Sequence, residues 1–174
     1  MLLFLVSGRA RSGKTLVANI IKKELETKGY KAVITEYSKY IKLFAKELLG
    51  WDGITEPKPR KFLQDTGTFV RKYYSDIFFT ERMKEDLEIY KEFVDAVIIS
   101  DVRMPKEITS MEEYKPITIR VINKHSNYDL TKEEASHETE HALDDYKEFA
   151  YTLEELNEEE LKNKIIEILK ENEL

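Results

Sequence analysis

From Leu2 to Ser7 the chain is a continuous apolar run that ends at the first polar position. A run of this length predicts a strand of a parallel sheet, covered on both faces. After Gly13 the period changes. Leu16, Val17, Ile20, Ile21 and Leu25 fall on one side of a helix that Gly29 should stop. "KAVITEY" predicts a second strand. "SKYIKLFAKELLG" has helical spacing, with Ser38 as its N-cap and Gly50 as its stop. "WDGITEPKP" is a loop by its Gly and Pro content. "RKFLQDTGTFVRKYY" and the segment onward to Phe93 are expected to be helical. "DAVIIS" and "PITIRVIN" predict two more strands, and "EFAYTL" a short last one. An amphipathic helix should follow from Asn157 onward. Strands alternating with helices predict an α/β architecture around a central parallel sheet, with residues 1–174 forming one domain. The polar stretch Lys124–Asp145 interrupts the rhythm and is expected to be an insertion that acts as a lid.

Between the first strand and the first helix stands "SGRARSGKT", Ser7 to Thr15. Gly8, Gly13, Lys14 and Thr15 make the spacing G-x-x-x-x-G-K-T, the P-loop pattern, in the strand–loop–helix context it requires. Glycines let the backbone curl so that successive N–H groups point at phosphate oxygens. The backbone of Arg9, Ala10, Arg11 and Ser12 completes that cradle. The helix that follows adds the positive end of its dipole. Lys14 supplies a point charge to the outer phosphates, and the Thr15 hydroxyl a ligand for Mg²⁺. The alternative is a glycine-rich turn that arose by chance.

Composition narrows the function further. The 174 residues carry a net charge of -6 and no long basic run, so a general nucleic-acid binder is not expected. There is no cysteine, which excludes disulfides and thiolate zinc sites. Met1–Val6 is too short to span a bilayer and lacks a basic leader, so a cytoplasmic protein without membrane attachment is expected.

Asp101 ends the strand "AVIIS", at the carboxyl edge where open parallel sheets bind ligands. A carboxylate there can hold hydrated Mg²⁺, or it can simply cap the segment that follows. Arg103, two residues on, either reaches a phosphate or lies on the surface. In "RKFLQDTGTFVRK", Arg60, Gln64, Gly67 and Arg71 share one helical face, and Leu63, Val70 and Tyr74 a neighbouring one. Two arginines flanking a glutamine suit a second phosphate and its attached group, with Gly67 allowing close approach. A solvated helix face is the competing reading. Ser38 and Lys42 are a weaker case of the same kind. Trp51 and the tyrosines are expected to pack rather than stack on bases.

"SGRARSGKT", "YSKYIKLFAKELLG", "RKFLQDTGTFVRK", "ISDVRMPKEI" and "SHETEHALDDY" occur in the order seen in phage-type deoxynucleoside monophosphate kinases. The chain resembles that group over nearly its whole length, and is similar to the animal-type phosphomevalonate kinases related to it. The resemblance implies a three-layer P-loop NTPase fold of the nucleoside monophosphate kinase type. It also implies ATP with Mg²⁺ as donor, and acceptor contacts by Arg60, Gln64 and Arg71. Three departures stand out. Thr15 follows the lysine where many relatives have aspartate. Residues 124–145 contain no arginine, leaving Arg120 and Lys124 as the nearest cations. "YTLEEL" replaces the turn that often lies near the adenine.

"HETEH", His137 to His141, matches the zinc-protease pattern H-E-x-x-H, in which one helical face presents two imidazoles. Its flanks, "EEAS" and "ALDDY", are acidic and polar, unlike the packed helix a catalytic zinc needs, and the lid accounts for them. The expected activity is therefore transfer of the ATP γ-phosphoryl group to a small phosphorylated acceptor, most simply a (deoxy)nucleoside monophosphate. Phosphomevalonate and dephospho-CoA are the alternative acceptors. In this scheme Lys14, Arg103 and Arg120 act on the transferring group, with Arg9 and Arg11 as further candidates to neutralise it. Thr15 and Asp101 hold the metal, and Ser38, Lys42, Arg60, Gln64, Gly67 and Arg71 surround the acceptor. A reading from another class is a nucleotide-binding switch without transfer. The oligomeric state stays open.

Overall fold

The computed structural model describes residues 1–124 and 130–174. Five strands form one sheet: β1 (Leu2–Ser7), β2 (Ala32–Thr35), β3 (Ala96–Val102), β4 (Ile117–Ile122) and β5 (Tyr151–Glu154). Their order is β2-β3-β1-β4-β5, and every paired neighbour is parallel. β1 is therefore central. It pairs with β3 through Leu3↔Val97 and Leu5↔Ile99, and with β4 through Leu5↔Thr118 and Val6↔Ile119.

Burial explains the unbroken apolar run of β1. Phe4 and Val6 face one layer with Ile98 of β3, and Leu3 and Leu5 face the other with Val97 and Ile99. On the first side pack α1 (Lys14–Thr27), through Val17, Ile21 and Leu25, and α8 (Glu158–Glu171), through Leu161 and Ile165. On the second lie α2 (Lys39–Leu49), through Ile41, and α4 (Phe78–Tyr90), through Phe79, Met83 and Leu87. Ile108 of α5 (Pro105–Thr109) closes that layer. α3 (Arg60–Tyr73) buries only Gly67 fully and leans on the layer with Leu63 and Val70. The helical stretch expected to run to Phe93 breaks at Tyr74, where the backbone leaves the helix before α4 begins.

Between β4 and β5 lie α6 (Lys132–Ser136) and α7 (Glu138–His141), inside the stretch expected to be a lid. Of that stretch, 125–129 lie outside the described residues. Among the described residues no helix is long and apolar enough to cross a membrane.

α8 starts as its sequence predicts. Asn157 Oδ1 accepts the Glu160 N–H at 3.0 Å, and the Glu160 carboxylate accepts the Asn157 N–H at 2.9 Å. Asn157→Ala removes this reciprocal cap and should lower stability by about 1 kcal/mol. A urea unfolding midpoint compared with the unaltered protein checks it.

Candidate active site

The loop after β1 is closed on itself. Arg11 (φ 58°) and Gly13 (φ 100°) take left-handed backbone, which turns the chain into α1. Gly8 has no room for a side chain: a Cβ there would lie 2.3 Å from Ser12 Oγ and 2.5 Å from the Val121 carbonyl oxygen. Lys14 is 8% exposed, and its Nζ donates to the Arg9 carbonyl at 2.5 Å. Burial, reinforced by the charge of Arg103, holds the Lys14 ammonium well below its ordinary pKa, with Glu140 and Asp101 pulling the other way. Ser12 Oγ is buried and meets no hydrogen-bond partner among the described residues.

A cavity of about 520 Å³ opens beside this loop. Its wall includes Ala10, Arg11, Lys14 and Thr15 from the loop and α1, and Ser38 and Lys42 from the start of α2. Arg60, Gln64, Gly67 and Arg71 come from α3, and Asp101 and Arg103 from the end of β3. One cavity thus gathers residues that the sequence assigned to donor, metal and acceptor. Gly8, Arg9, Ser12, Gly13 and Arg120 are not part of the wall. Arg9 and Arg120 both pair with Asp144, at 2.5 and 3.2 Å. Burial lowers the Arg120 pKa and Asp144 opposes the shift.

Asp101 Oδ1 accepts the Tyr37 N–H at 2.7 Å, and Oδ2 accepts the Ser38 N–H at 2.9 Å. The expected cap of α2 is corrected here. Ser38 already has helical backbone, so its hydroxyl turns to Glu36 at 3.1 Å and caps nothing. The carboxylate from β3 fixes the chain one step earlier, through the N–H groups of Tyr37 and Ser38 just before α2, and no side chain caps the first turn. Each Asp101 oxygen accepts one N–H and keeps a second lone pair, and the residue lines the cavity, so a structural role and a metal role are compatible.

α3 carries the second group of cations. Arg60 has Glu56 at 3.9 Å. Arg71 lies with its guanidinium carbon 5.9 Å from the Phe79 ring centre, and its buried Nη2 has no hydrogen-bond partner among the described residues. Gly67 acts differently from expectation. What approaches it is protein: an added Cβ would sit 3.2 Å from Ile41 Cδ1 and 3.5 Å from Arg71 Nη1. Its missing side chain lets α3 close on α2 and lets Arg71 lie across the helix. Gln64 lines the cavity, but its Nε2 donates to the Glu134 carbonyl at 3.1 Å.

Sequence reasoning missed Glu36, Lys58, Glu107 and Glu140, all in the wall. Glu36 follows β2 at the same carboxyl edge that drew attention to Asp101, and that rule would have found it. Burial pushes its carboxyl up, but the Lys42 charge and hydrogen bond outweigh this, and the net shift is downward. Lys58 has its pKa lowered by burial and then by Lys42. Nothing in its proline-flanked loop announces it. Glu107 accepts N–H groups from Arg103 at 2.7 Å and Met104 at 3.0 Å. Burial, then repulsion from Asp101, raises its pKa from 4.5 to about 7. The fold thus favours the protonated acid. Stability from this group is complete below pH 4.5 and is lost as pH rises through about 7. Glu107→Gln should remove that part of the slope, seen as a smaller drop in urea midpoint between pH 5 and pH 8.

The zinc pattern does not form its helix. His137 has extended backbone and caps α7 by accepting the Thr139 N–H, while His141 sits in the last turn. Their Nε2 atoms face Thr68 Oγ1 at 3.1 Å and the Ala135 carbonyl at 2.7 Å. The two imidazoles therefore share no helical face. Among the described residues no group of three or more His, Cys, Asp and Glu is arranged to hold a metal. A cation on Thr15 and Asp101 would draw its other ligands from phosphate oxygens and water.

No family model matches the chain and no curated protein matches it. Solved structures do. The shikimate kinase of Aquifex aeolicus vf5 is similar at 14% identity and a TM-score of 0.55, over 100% of this chain and 99% of that one. The shikimate kinase of Acinetobacter baumannii in complex with shikimate is similar at 14% identity and a TM-score of 0.54, over 100% and 96%. The fold is the P-loop NTPase fold of the shikimate kinases. In this chain the loop after β1, the end of β3 and α3 meet around one cavity. The arrangement can hold a polyphosphate at the loop and a second anion at α3, with Arg103 in the wall beside both.

Proposed function

We propose that this protein is an ATP-dependent phosphotransferase with a small anionic acceptor, by preference a (deoxy)nucleoside monophosphate. The observation that carries the reading is Arg71. Its Nη2 is buried without a hydrogen-bond partner, in the wall of the cavity that also contains Lys14. A buried cationic donor left unpaired is costly, and an anionic acceptor that draws the guanidinium round toward the cavity removes that cost. The nucleotide preference rests on the motif resemblance.

An acceptor phosphate is already ionised at neutral pH, so no strong base is needed. One of its oxygens forms a bond to the γ-phosphorus, the bond from that phosphorus to the β-bridging oxygen breaks, and ADP leaves with the electron pair. Catalysis then rests on position and charge. Lys14 and the loop N–H groups hold the donor phosphates. Arg71, Arg60 and Lys58 hold the acceptor, and Arg103 stands ready for the transferring group. Mg²⁺ on Thr15 and Asp101 would supply a Lewis acid for the outer phosphates. The β4–β5 segment limits water and so suppresses idle hydrolysis.

ADP release should be followed with each common nucleoside and deoxynucleoside monophosphate, phosphomevalonate, dephospho-CoA and shikimate. The reading requires slow hydrolysis alone and rapid ADP release with one acceptor. Acceptor-independent hydrolysis with no response to any of them would favour a nucleotide switch. Chelation should stop the reaction. Asp101→Asn should raise the Mg²⁺ concentration for half-maximal rate by roughly tenfold. A variant with unaltered Mg²⁺ dependence and a lower melting temperature would leave Asp101 with its structural role alone.

A further inference from the structure

The cradle is already engaged by carboxylates of the chain itself. Glu140 of α7 is 6% exposed. Its Oε2 accepts the Ala10 N–H of the phosphate loop at 2.7 Å, and its Oε1 accepts from Arg103 Nη1 at 2.7 Å. Four residues on, Asp144 pairs with Arg9 and Arg120. Two acids thus take up one loop N–H and three arginines. These are donors that a polyphosphate would use. The same segment is tied to α3 by Gln64 to the Glu134 carbonyl and by Thr68 to His137. Glu140 therefore draws α7 onto the loop while α6 and its C-terminal neighbour His137 rest on the acceptor helix.

We propose that Glu140 is an internal competitor of the donor phosphates: its carboxylate holds α7 on the Ala10 N–H and Arg103, and donor binding displaces it. The inference rests on the reading of the loop as a donor site. The physical basis is exclusion. The Ala10 N–H has one hydrogen and cannot serve Glu140 and a phosphate oxygen with full strength at once. A carboxylate brings one charge shared by two oxygens, whereas a polyphosphate brings several charges and more acceptor atoms to the same donors. The protein that binds is then the fraction in which Glu140 has let go, and the apparent affinity falls by that fraction. The arrangement would also couple the two substrates: releasing Glu140 frees Arg103 just as donor phosphates arrive and loosens a segment that covers α3.

The competing account is that Glu140 positions Arg103 and aids binding. Calorimetric titration with inorganic tripolyphosphate at fixed ionic strength separates the two. Glu140→Gln should bind roughly tenfold more tightly than the unaltered protein. Glu140→Asp keeps the charge but withdraws the carboxylate from the Ala10 N–H. It should also bind more tightly, which loss of negative charge cannot explain, and it keeps the test alive if the glutamine variant folds poorly. Glu138→Gln removes one charge from an exposed neighbour and should change affinity less than about twofold. Equal or weaker binding by both Glu140 variants overturns the proposal and makes Glu140 a positioning residue. Absence of binding by every protein, the unaltered one included, overturns the donor reading and the proposal with it.

Discussion

Lys14→Ala should fold normally and transfer phosphoryl groups on the order of 10²–10³-fold more slowly, the usual effect of removing one preorganised charge-stabilising donor. Lys14 Nζ meets the Arg9 carbonyl, inside the loop it is proposed to serve, and among the described residues no carboxylate pairs with it. It is nevertheless almost fully buried, beside Arg103. Burying a cation next to another cation costs stability, and the nearby charges of Glu140 and Asp101 offset that cost only in part. Its lowered pKa says the same: the fold disfavours the charged form. The penalty is complete below the folded pKa and fades as pH rises from there towards 10.5. Lys14→Met, which keeps the apolar stem, should therefore melt no lower than the unaltered protein, with its advantage largest at low pH. Stability and activity thus move in different directions, as expected of a group kept for function. Acceptor-dependent ADP release and a melting curve, measured on the same preparations, check both halves. A folded Lys14→Ala protein with full activity would remove the donor site.

What was legible in the sequence was local. A loop proposed to hold phosphate must be contiguous, because successive N–H groups have to converge on one anion, so its glycines, Lys14 and Thr15 appear as a single pattern. The α3 face was legible because Arg60, Gln64, Gly67 and Arg71 repeat at helical spacing, and the cavity wall contains all of them. The unbroken run of β1 announced a strand buried on both sides, and the two core layers show why. The misses are pairings between distant segments. Ser38 has the residue type of an N-cap, but its backbone is already helical and its hydroxyl turns to Glu36, while Asp101, far along the chain, fixes the N–H groups of Tyr37 and Ser38. Glu140 hides inside a motif that suggests a different chemistry. Its meaning depends on Ala10 and Arg103, which only the fold brings to it. The break at Tyr74 carries no Gly or Pro, so no local rule marks it. Strand order is likewise beyond periodicity, since neighbours are chosen by packing between segments distant in the chain.

Arg71→Ala should raise the acceptor KM by about 10–100-fold, corresponding to ~1.5–3 kcal/mol for a hydrogen bond to a charged group. The same variant should leave the ATP KM within about twofold, because Arg71 sits on α3 and the loop is built from other residues. Arg60→Ala should act in the same direction but less strongly, since Glu56 already lies 3.9 Å from its guanidinium. The two changes touch one anion, so the double variant should lose less than the product of the single losses. Lys at position 71 keeps the charge but not the planar fork, and should restore only part of the affinity. A structural role predicts something else. If Arg71 merely packed against Phe79, its removal would lower the melting temperature and affect both substrates alike. The buried Nη2 without a partner argues for the opposite, a melting temperature unchanged or raised once the guanidinium is gone. Separate KM values for donor and acceptor, read beside the melting curve, divide these accounts. An unaltered acceptor KM in both single variants would return α3 to the role of a scaffold and leave the proposed transfer without a second substrate.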